Sequence, residues 1–401
     1  EILCCWLRRV QALICFLIIR IGAGYSWLLS RNLPVSEKKQ TNSGYDYLIL
    51  VPAILLTGLG LIAVYSASSH LAEHRLGDSC FYLKRQAVFC ILGIGIMISA
   101  KNIPCALYSK LVYPLLIISF FLLTLLFIPG IGHRVGGAYR WLRFCGFSFQ
   151  PSEFVKFSFA VYMAYSMSKK GSNMESFSKG LLPHLLMAGS FMLLIIFQPD
   201  FGTALIIGCW LLIVLFVGGV KVLHLCSVII LFIPVVAFLI WNAEYRLNRF
   251  WAFINPWDDP KGIGFQIIHS FLAFGSGGIS GAGLGNSKQK LFYLPEPHTD
   301  FIFSIIAEEL GFIGVAAVIC FFGVLIMRGM KVALNARDLY SSYLAFGLTC
   351  LIGIQVIINM GVVTGLLPSK GLTLPLISYG GSSLVLNLLC IGILLNISSE
   401  S

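Results

Sequence analysis

Acidic residues are scarce in this chain, with 17 Asp and Glu in 401 residues, yet four fall in the 18 positions LPEPHTDFIFSIIAEELG at 294–311. They are Glu296, Asp300, Glu308 and Glu309. A carboxylate beside a membrane can serve as a general base, a cap for a helix start, or half of an ion pair. Helical geometry separates the four. Glu308 lies about 12 Å deeper than Asp300 and about 80° round the axis, and Glu309 is near the opposite face. One site cannot use all three. Asp300 is therefore the candidate base, with capping as its alternative, and Glu308 and Glu309 are expected to be paired structural groups. Glu296 and His298 flank Asp300 as candidate substrate contacts. Elsewhere, Glu153 and Lys156 are three residues apart, within pairing reach on one helix face, where a structural pair and a substrate contact weigh equally. Arg140 and Arg143 precede them; Arg140 and Lys156, with Arg246 and Arg249 in a later polar segment, are candidate cations for an anionic group. Asp200, in Gln198-Pro199-Asp200, reads as a helix cap.

These residues must be positioned by membrane helices. Hydrophobic residues make up 58% of the chain, charged residues 11%, and the mean hydropathy is +0.88. The expected fold class is an all-α polytopic membrane protein. Ten stretches qualify as spans: 46–68, 83–100, 106–128, 152–168, 181–198, 201–218, 222–241, 300–327, 339–364 and 373–396. The net charge of +11 would suit nucleic-acid binding in a soluble protein, but the cations sit in short loops between apolar segments. Lys101, Lys169, Lys170, Lys179, Lys221, Arg328, Lys331 and Arg337 all fall on one side, which becomes the cytoplasmic side. Loops 129–151 and 242–299, rich in Arg, Trp, Gly and Pro, then face outward between spans 3 and 4 and spans 7 and 8. The expected domains are a cytoplasmic extension at 1–44, or a start-site artefact, and a ten-helix membrane domain at 45–398. The extension has a short apolar core flanked by arginines, as a signal peptide does, without a small-residue cleavage site.

The glycine run at 275–285 fits no phosphate-loop pattern and reads as flexible backbone near the membrane surface. Cys209, Cys226, Cys320, Cys350 and Cys390 read as small core residues. Cys80 and Cys145 share the outer side, where a disulfide between them carries odds of roughly one in ten. No metal-ligand cluster is visible. A divalent ion, Mg or Mn, remains open as a companion to a diphosphate.

The motifs VYSASS (64–69), FYLKRQ (81–86), GAYRW and FSFQPSEFVK (137–156), QPDFGTA (198–204), NPWDDP (255–260), QKLFYLPEPHTDFIF (289–303) and GLTLPLISYGGSS (371–383) occur in one order. In these the chain resembles the shape, elongation, division and sporulation (SEDS) family, most of all its division branch of peptidoglycan polymerases. Pro297 stands where that branch commonly has Ala. The resemblance implies a ten-helix fold and glycosyl transfer on lipid II, the undecaprenyl-diphosphate-linked disaccharide-peptide. It puts the essential carboxylate on Asp300 and polar-cavity positions on Arg140, Glu153 and Lys156. It also implies a class B penicillin-binding transpeptidase as partner, other division proteins, and the septum of the bacterial cytoplasmic membrane as location. The chemistry agrees with the residues. Inversion needs one displacement and one base, and a diphosphate leaves without a second carboxylic acid. Cations at Arg140, Lys156, Arg246 or Arg249 would stabilise it. The rival functions are a lipid II flippase, which would depend most on Arg140, Glu153 and Lys156, and a division scaffold, which would not need Asp300.

Overall fold

The computed structural model describes residues 44–135, 138–144, 147–290 and 297–400. The proposed extension lies outside it apart from Gly44, as do Cys145 and Glu296. The chain is predominantly helical. In order the helices are α1 (Tyr47–Leu76), α2 (Phe81–Asn102), α3 (Cys105–Lys110), α4 (Val112–Leu125), α5 (Pro151–Lys170), α6 (Leu182–Phe197), α7 (Phe201–Val217), α8 (Val222–Trp241), α9 (Glu244–Ile254), α10 (Phe265–Gly277), α11 (Ile302–Asn335), α12 (Leu339–Val363) and α13 (Gly381–Glu400). Among the described residues, seven helical segments are long and apolar enough to cross a membrane: α1, α2, Phe177–Phe197, α8, α11, α12 and α13. The protein is a multi-pass membrane protein.

α12 and α13 are largely buried. α13 runs along α2, α11 lies between α1 and α12, and α5 lies between α4 and α12. α8 is exposed over most of its surface. Such outer faces are as apolar as the interior, because lipid demands it. For that reason the cysteine expectation was only partly met. Cys390 is buried, but Cys209, Cys226 and Cys320 are exposed. At the end of the bundle remote from Asp300, Asp46 ties three helices together. Its carboxylate caps α1 at Leu48 N (3.2 Å) and accepts from Arg328 on α11 (2.7 Å) and Ser398 on α13 (2.6 Å).

Several boundaries differ from the expected spans. Residues 129–151 are not bare loop but carry an antiparallel sheet, β1 (Gly132–Val135), β2 (Ala138–Phe144) and β3 (Phe147–Phe149), in the order β1-β2-β3. This amends the all-α reading. Residues 242–299 contain α9 and α10. At 13 residues α10 is only about 20 Å long, too short to span. It buries Ile267, Ile268 and Ala273 and packs against α11. The last helix starts at Gly381 rather than near 373. Before it, Pro375 and Leu376 (φ 65) break the helix, and Ser378 Oγ accepts from Leu374 N at 2.8 Å.

α11 is broken at Gly311, whose φ of 64 and ψ of −160 are open to glycine. The break frees backbone groups, and the glycine run satisfies them. Ala282 N donates to Glu308 O (2.9 Å) and Gly283 N to Glu309 O (3.1 Å), while Phe312 N donates to Gly278 O (2.9 Å) and Ile313 N to Ile279 O (3.2 Å). A Cβ on Gly311 would lie 2.4 Å from Gly281 N. The run is therefore not loose surface backbone, as its composition suggested. It is the hydrogen-bonding partner of a broken helix.

Candidate active site

Asp300 precedes α11 by two residues; the helix begins at Ile302, after Phe301 in the cap position. It is not the capping residue. Its main chain is held from two directions. Asn359 Nδ2, on α12 and 1% exposed, donates to Asp300 O (3.1 Å) and to Leu372 O (2.5 Å). Ser378 Oγ donates to Thr299 O (2.6 Å), and Tyr379 N donates to His298 O (2.9 Å). The segment 371–380 thus forms a seat for residues 298–300. Gly371 comes so close that a Cβ there would be 2.9 Å from Asp300 Oδ2. The seat is itself wedged against α1, where a Cβ on Gly60 would lie 2.8 Å from Ile377 Cα and Leu376 O. Asn359 and Ser378 were missed in the sequence, where a lone amide and a hydroxyl in apolar surroundings carry no local signal.

Beside Gly371 stands Lys370. Its Nζ lies 3.4 Å from Phe201 O and 5.1 Å from the Phe201 ring. Arg246 lies over the same ring at 5.1 Å. Arg140 donates to Gln198 O (3.5 Å) and to Pro199 O, in the turn that leads to Phe201. Burial draws Lys370 down to about 8, opposed by the Asp200 carboxylate and reinforced by Arg249 and Arg140. Four cations, Arg140, Arg246, Arg249 and Lys370, therefore gather at the start of α7, on the Gly371 side of Asp300. Asp200 caps α7 as expected, accepting from Thr203 N (3.3 Å) and Thr203 Oγ1 (2.8 Å). Lys370 is the member that the sequence reading missed.

Glu153 and Lys156 pair with each other at 2.7 Å and are buried. They face Gln355, Asn387 and Cys390 among α5, α12 and α13. His298 is buried against the rings of Tyr82 (4.4 Å) and Tyr379 (5.5 Å). Burial, with a smaller contribution from Arg75, lowers it to about 4, so it is neutral near pH 7. Glu308 accepts from Ser287 Oγ, Lys288 N (2.9 Å) and Gln289 N (3.3 Å). Glu309 accepts from Ser66 Oγ (2.6 Å) and Lys290 Nζ (3.1 Å). Both deeper acids are thus structural, Glu309 ion-paired and Glu308 hydrogen-bonded, and with Ser66 they hold residues 287–290, which follow the glycine run. Among the described residues, no three His, Cys, Asp or Glu side chains converge.

A family model described as a cell cycle protein, covering FtsW, RodA and SpoVE, matches residues 46–401. The chain belongs to that family. This SEDS chain is 48% identical over 356 residues to a probable peptidoglycan glycosyltransferase FtsW of Geobacter sulfurreducens, covering 89% of this chain and 95% of that protein. It is 44% identical to stage V sporulation protein E of Bacillus subtilis, covering 89% and 97%. Among solved structures it resembles a chain of a peptidoglycan synthase complex described as coordinating polymerization and crosslinking, with a TM-score of 0.73, 29% identity and coverage of 89% and 98%. The rod shape determining protein RodA of Thermus thermophilus matches with a TM-score of 0.66 and 26% identity, covering 90% and 98%. The membership agrees with the motif order of the SEDS family and its FtsW-like branch.

Proposed function

We propose that the chain is a peptidoglycan glycosyltransferase that polymerises lipid II at the outer face of the cytoplasmic membrane during division. The observation that carries this reading is Asp300, seated by Asn359 and Ser378 next to the Lys370 cluster. The acceptor's sugar hydroxyl attacks the donor's anomeric carbon. The carbon–oxygen bond to the lipid diphosphate breaks, the electron pair leaves with the diphosphate, and the hydroxyl proton passes to Asp300. One displacement inverts the anomeric centre. Arg140, Arg246, Arg249 and Lys370 stabilise the charge that develops on the leaving diphosphate. The glycosyltransferase names of the relatives support the same chemistry.

In this reading residues 45–398 form one domain of ten spans, α1, α2, α4, α5, α6, α7, α8, α11, α12 and α13, with the β-sheet and the α9–α10 segment outside. His298 lines the substrate path; Glu296, the other candidate contact, lies outside the described residues. The partner is a class B penicillin-binding transpeptidase, with other division proteins at the septum, and the resemblance to a chain of a peptidoglycan synthase complex supports it. The test is glycan formation from purified lipid II by Asp300→Asn. A loss of at least about 100-fold is expected, the usual contribution of a general base, with unchanged thermal unfolding. Full activity would overturn the assignment. A flippase reading rests on the buried Glu153–Lys156 pair among α5, α12 and α13. Reconstituted vesicles that report translocation and polymerisation separately distinguish the two: a flippase would lose translocation in Lys156→Gln and keep it in Asp300→Asn.

A further inference from the structure

Joining two lipid II molecules brings two lipid diphosphates to one carboxylate. The donor's diphosphate is bonded to the reacting carbon, so it must lie beside Asp300. The acceptor keeps its diphosphate at the other end of its disaccharide. A polymerase therefore needs a second cationic site, one disaccharide removed from the base and on another side of it.

A second group of cations lies across the His298–Tyr379 side of Asp300. The first turn of α2 is locked to the seat of Asp300, with Gln86 Nε2 donating to Ser378 O (3.2 Å) and Gly380 N donating to Gln86 Oε1 (3.4 Å). From that turn Arg85 lies 4.6 Å from the Phe81 ring, and its charge opposes the rise that burial imposes on the Tyr379 hydroxyl. Arg75, at the end of α1, is near enough to His298 for its charge to be felt there. Tyr82, His298 and Tyr379 pack into an aromatic wall beside these guanidiniums, with Tyr82 and Tyr379 at 5.1 Å. The neighbouring Lys84 is already paired with Asp78 at 2.8 Å. Among the described residues neither Arg75 nor Arg85 has an ion-pair partner, whereas Lys290, Lys156 and Arg328 each have one. Two arginines beside an aromatic wall offer planar donors for a diphosphate and ring faces for a sugar.

We propose that Arg75 and Arg85 hold the diphosphate of the acceptor lipid II, with the Arg140–Arg246–Arg249–Lys370 cluster holding that of the donor. This rests on the polymerase reading above. The test uses the full chain in detergent, with and without a class B penicillin-binding protein. The donor is lipid II blocked at the sugar hydroxyl, which can donate but not accept, and the acceptor is unblocked lipid II. In Arg85→Gln and in Arg75→Gln/Arg85→Gln, the KM for lipid II as acceptor is expected to rise at least about tenfold, the loss of one charge-assisted hydrogen bond or more. The KM for blocked donor stays unchanged, and Arg85→Lys recovers part of the loss. Arg75→Gln, on an exposed side chain, gives the same direction of effect without disturbing the core. An unchanged acceptor KM, or a fall in kcat that added lipid II does not restore, overturns the proposal. So does an unchanged acceptor KM coupled to lost activation by added phosphatidylglycerol, which would assign the arginines to phospholipid headgroups. If wild-type chain forms no glycan from lipid II, the polymerase reading falls too; if it does and the variants behave as wild type, only the acceptor site falls.

Discussion

Lys370 supplies a test at the scale of one residue. Held down to about 8 by burial, its ammonium is charged below that pH and neutral above it. If it helps the diphosphate leave, kcat/KM for lipid II falls as pH rises through about 8, because that ratio reports the free enzyme. Lys370→Arg should carry the plateau to higher pH, since a guanidinium stays protonated. The effect on stability has the opposite sign. Below about 8 the fold carries the cost of burying a charge. Between about 8 and the ordinary 10.5 the folded chain has released a proton that the unfolded chain still binds, so this group's contribution to stability rises with pH. Asn359 is the second residue to test. Asn359→Leu strips a donor from Asp300 O and from Leu372 O, and a buried carbonyl that loses its hydrogen bond costs about 1–3 kcal/mol. Lipid II turnover at saturation should fall with it, measured beside thermal unfolding, whereas a purely structural asparagine would lower the melting point alone.

Two close approaches carry the argument at the scale of elements. Gly311→Ala would force a side chain onto a left-handed φ, costing about 1–3 kcal/mol, and would press a Cβ against Gly281 N. A drop in melting temperature with loss of protection at the amides of 278–283 in hydrogen exchange is expected. Gly60→Val would push on Leu376 and Ile377, and through Ser378 on residues 298–300. Its signature is a fall in kcat larger than the fall in stability. Neither approach could be read in the sequence. Apolar runs mark helices because lipid excludes unpaired backbone, so the long apolar helices were legible. Composition does not say which face of such a helix meets its neighbours, which is why Cys209, Cys226 and Cys320 were misplaced. The glycine run at 275–285 read as flexible backbone near the membrane surface, because its partner, a helix broken at Gly311, lies beyond the run in the chain and leaves no mark on its composition. Asp300, Arg140, Arg246 and Arg249 were visible as charges in scarce company. Lys370 was not, because its loop held no second charge to draw attention to it. The short strands at 132–149 and the helix at 265–277 were hidden inside segments that had been treated as connections.

The whole molecule has two polar ends and an apolar girth. One end gathers Asp300, the two cation clusters and the α9–α10 segment; the other carries Asp46, Arg328 and Lys331. The ten-span arrangement proposed above would set these on opposite sides of the membrane. In right-side-out spheroplasts, a membrane-impermeant maleimide is expected to label Cys80 without permeabilisation and Lys331→Cys only after it. Labelling of both from outside would sink the arrangement.

The seat of Asp300 has a consequence in time. The ribosome makes Asp300 long before it makes Asn359, Gly371 and Ser378, the residues that fix its place. A nascent chain that has reached residue 338 holds the carboxylate, the glycine run and both acids beneath it, yet has no seat. In the proposed mechanism its chemistry would begin only when the last two helices arrive. Supplying residues 339–401 as a separate polypeptide should start glycan synthesis in a chain that ends at residue 338.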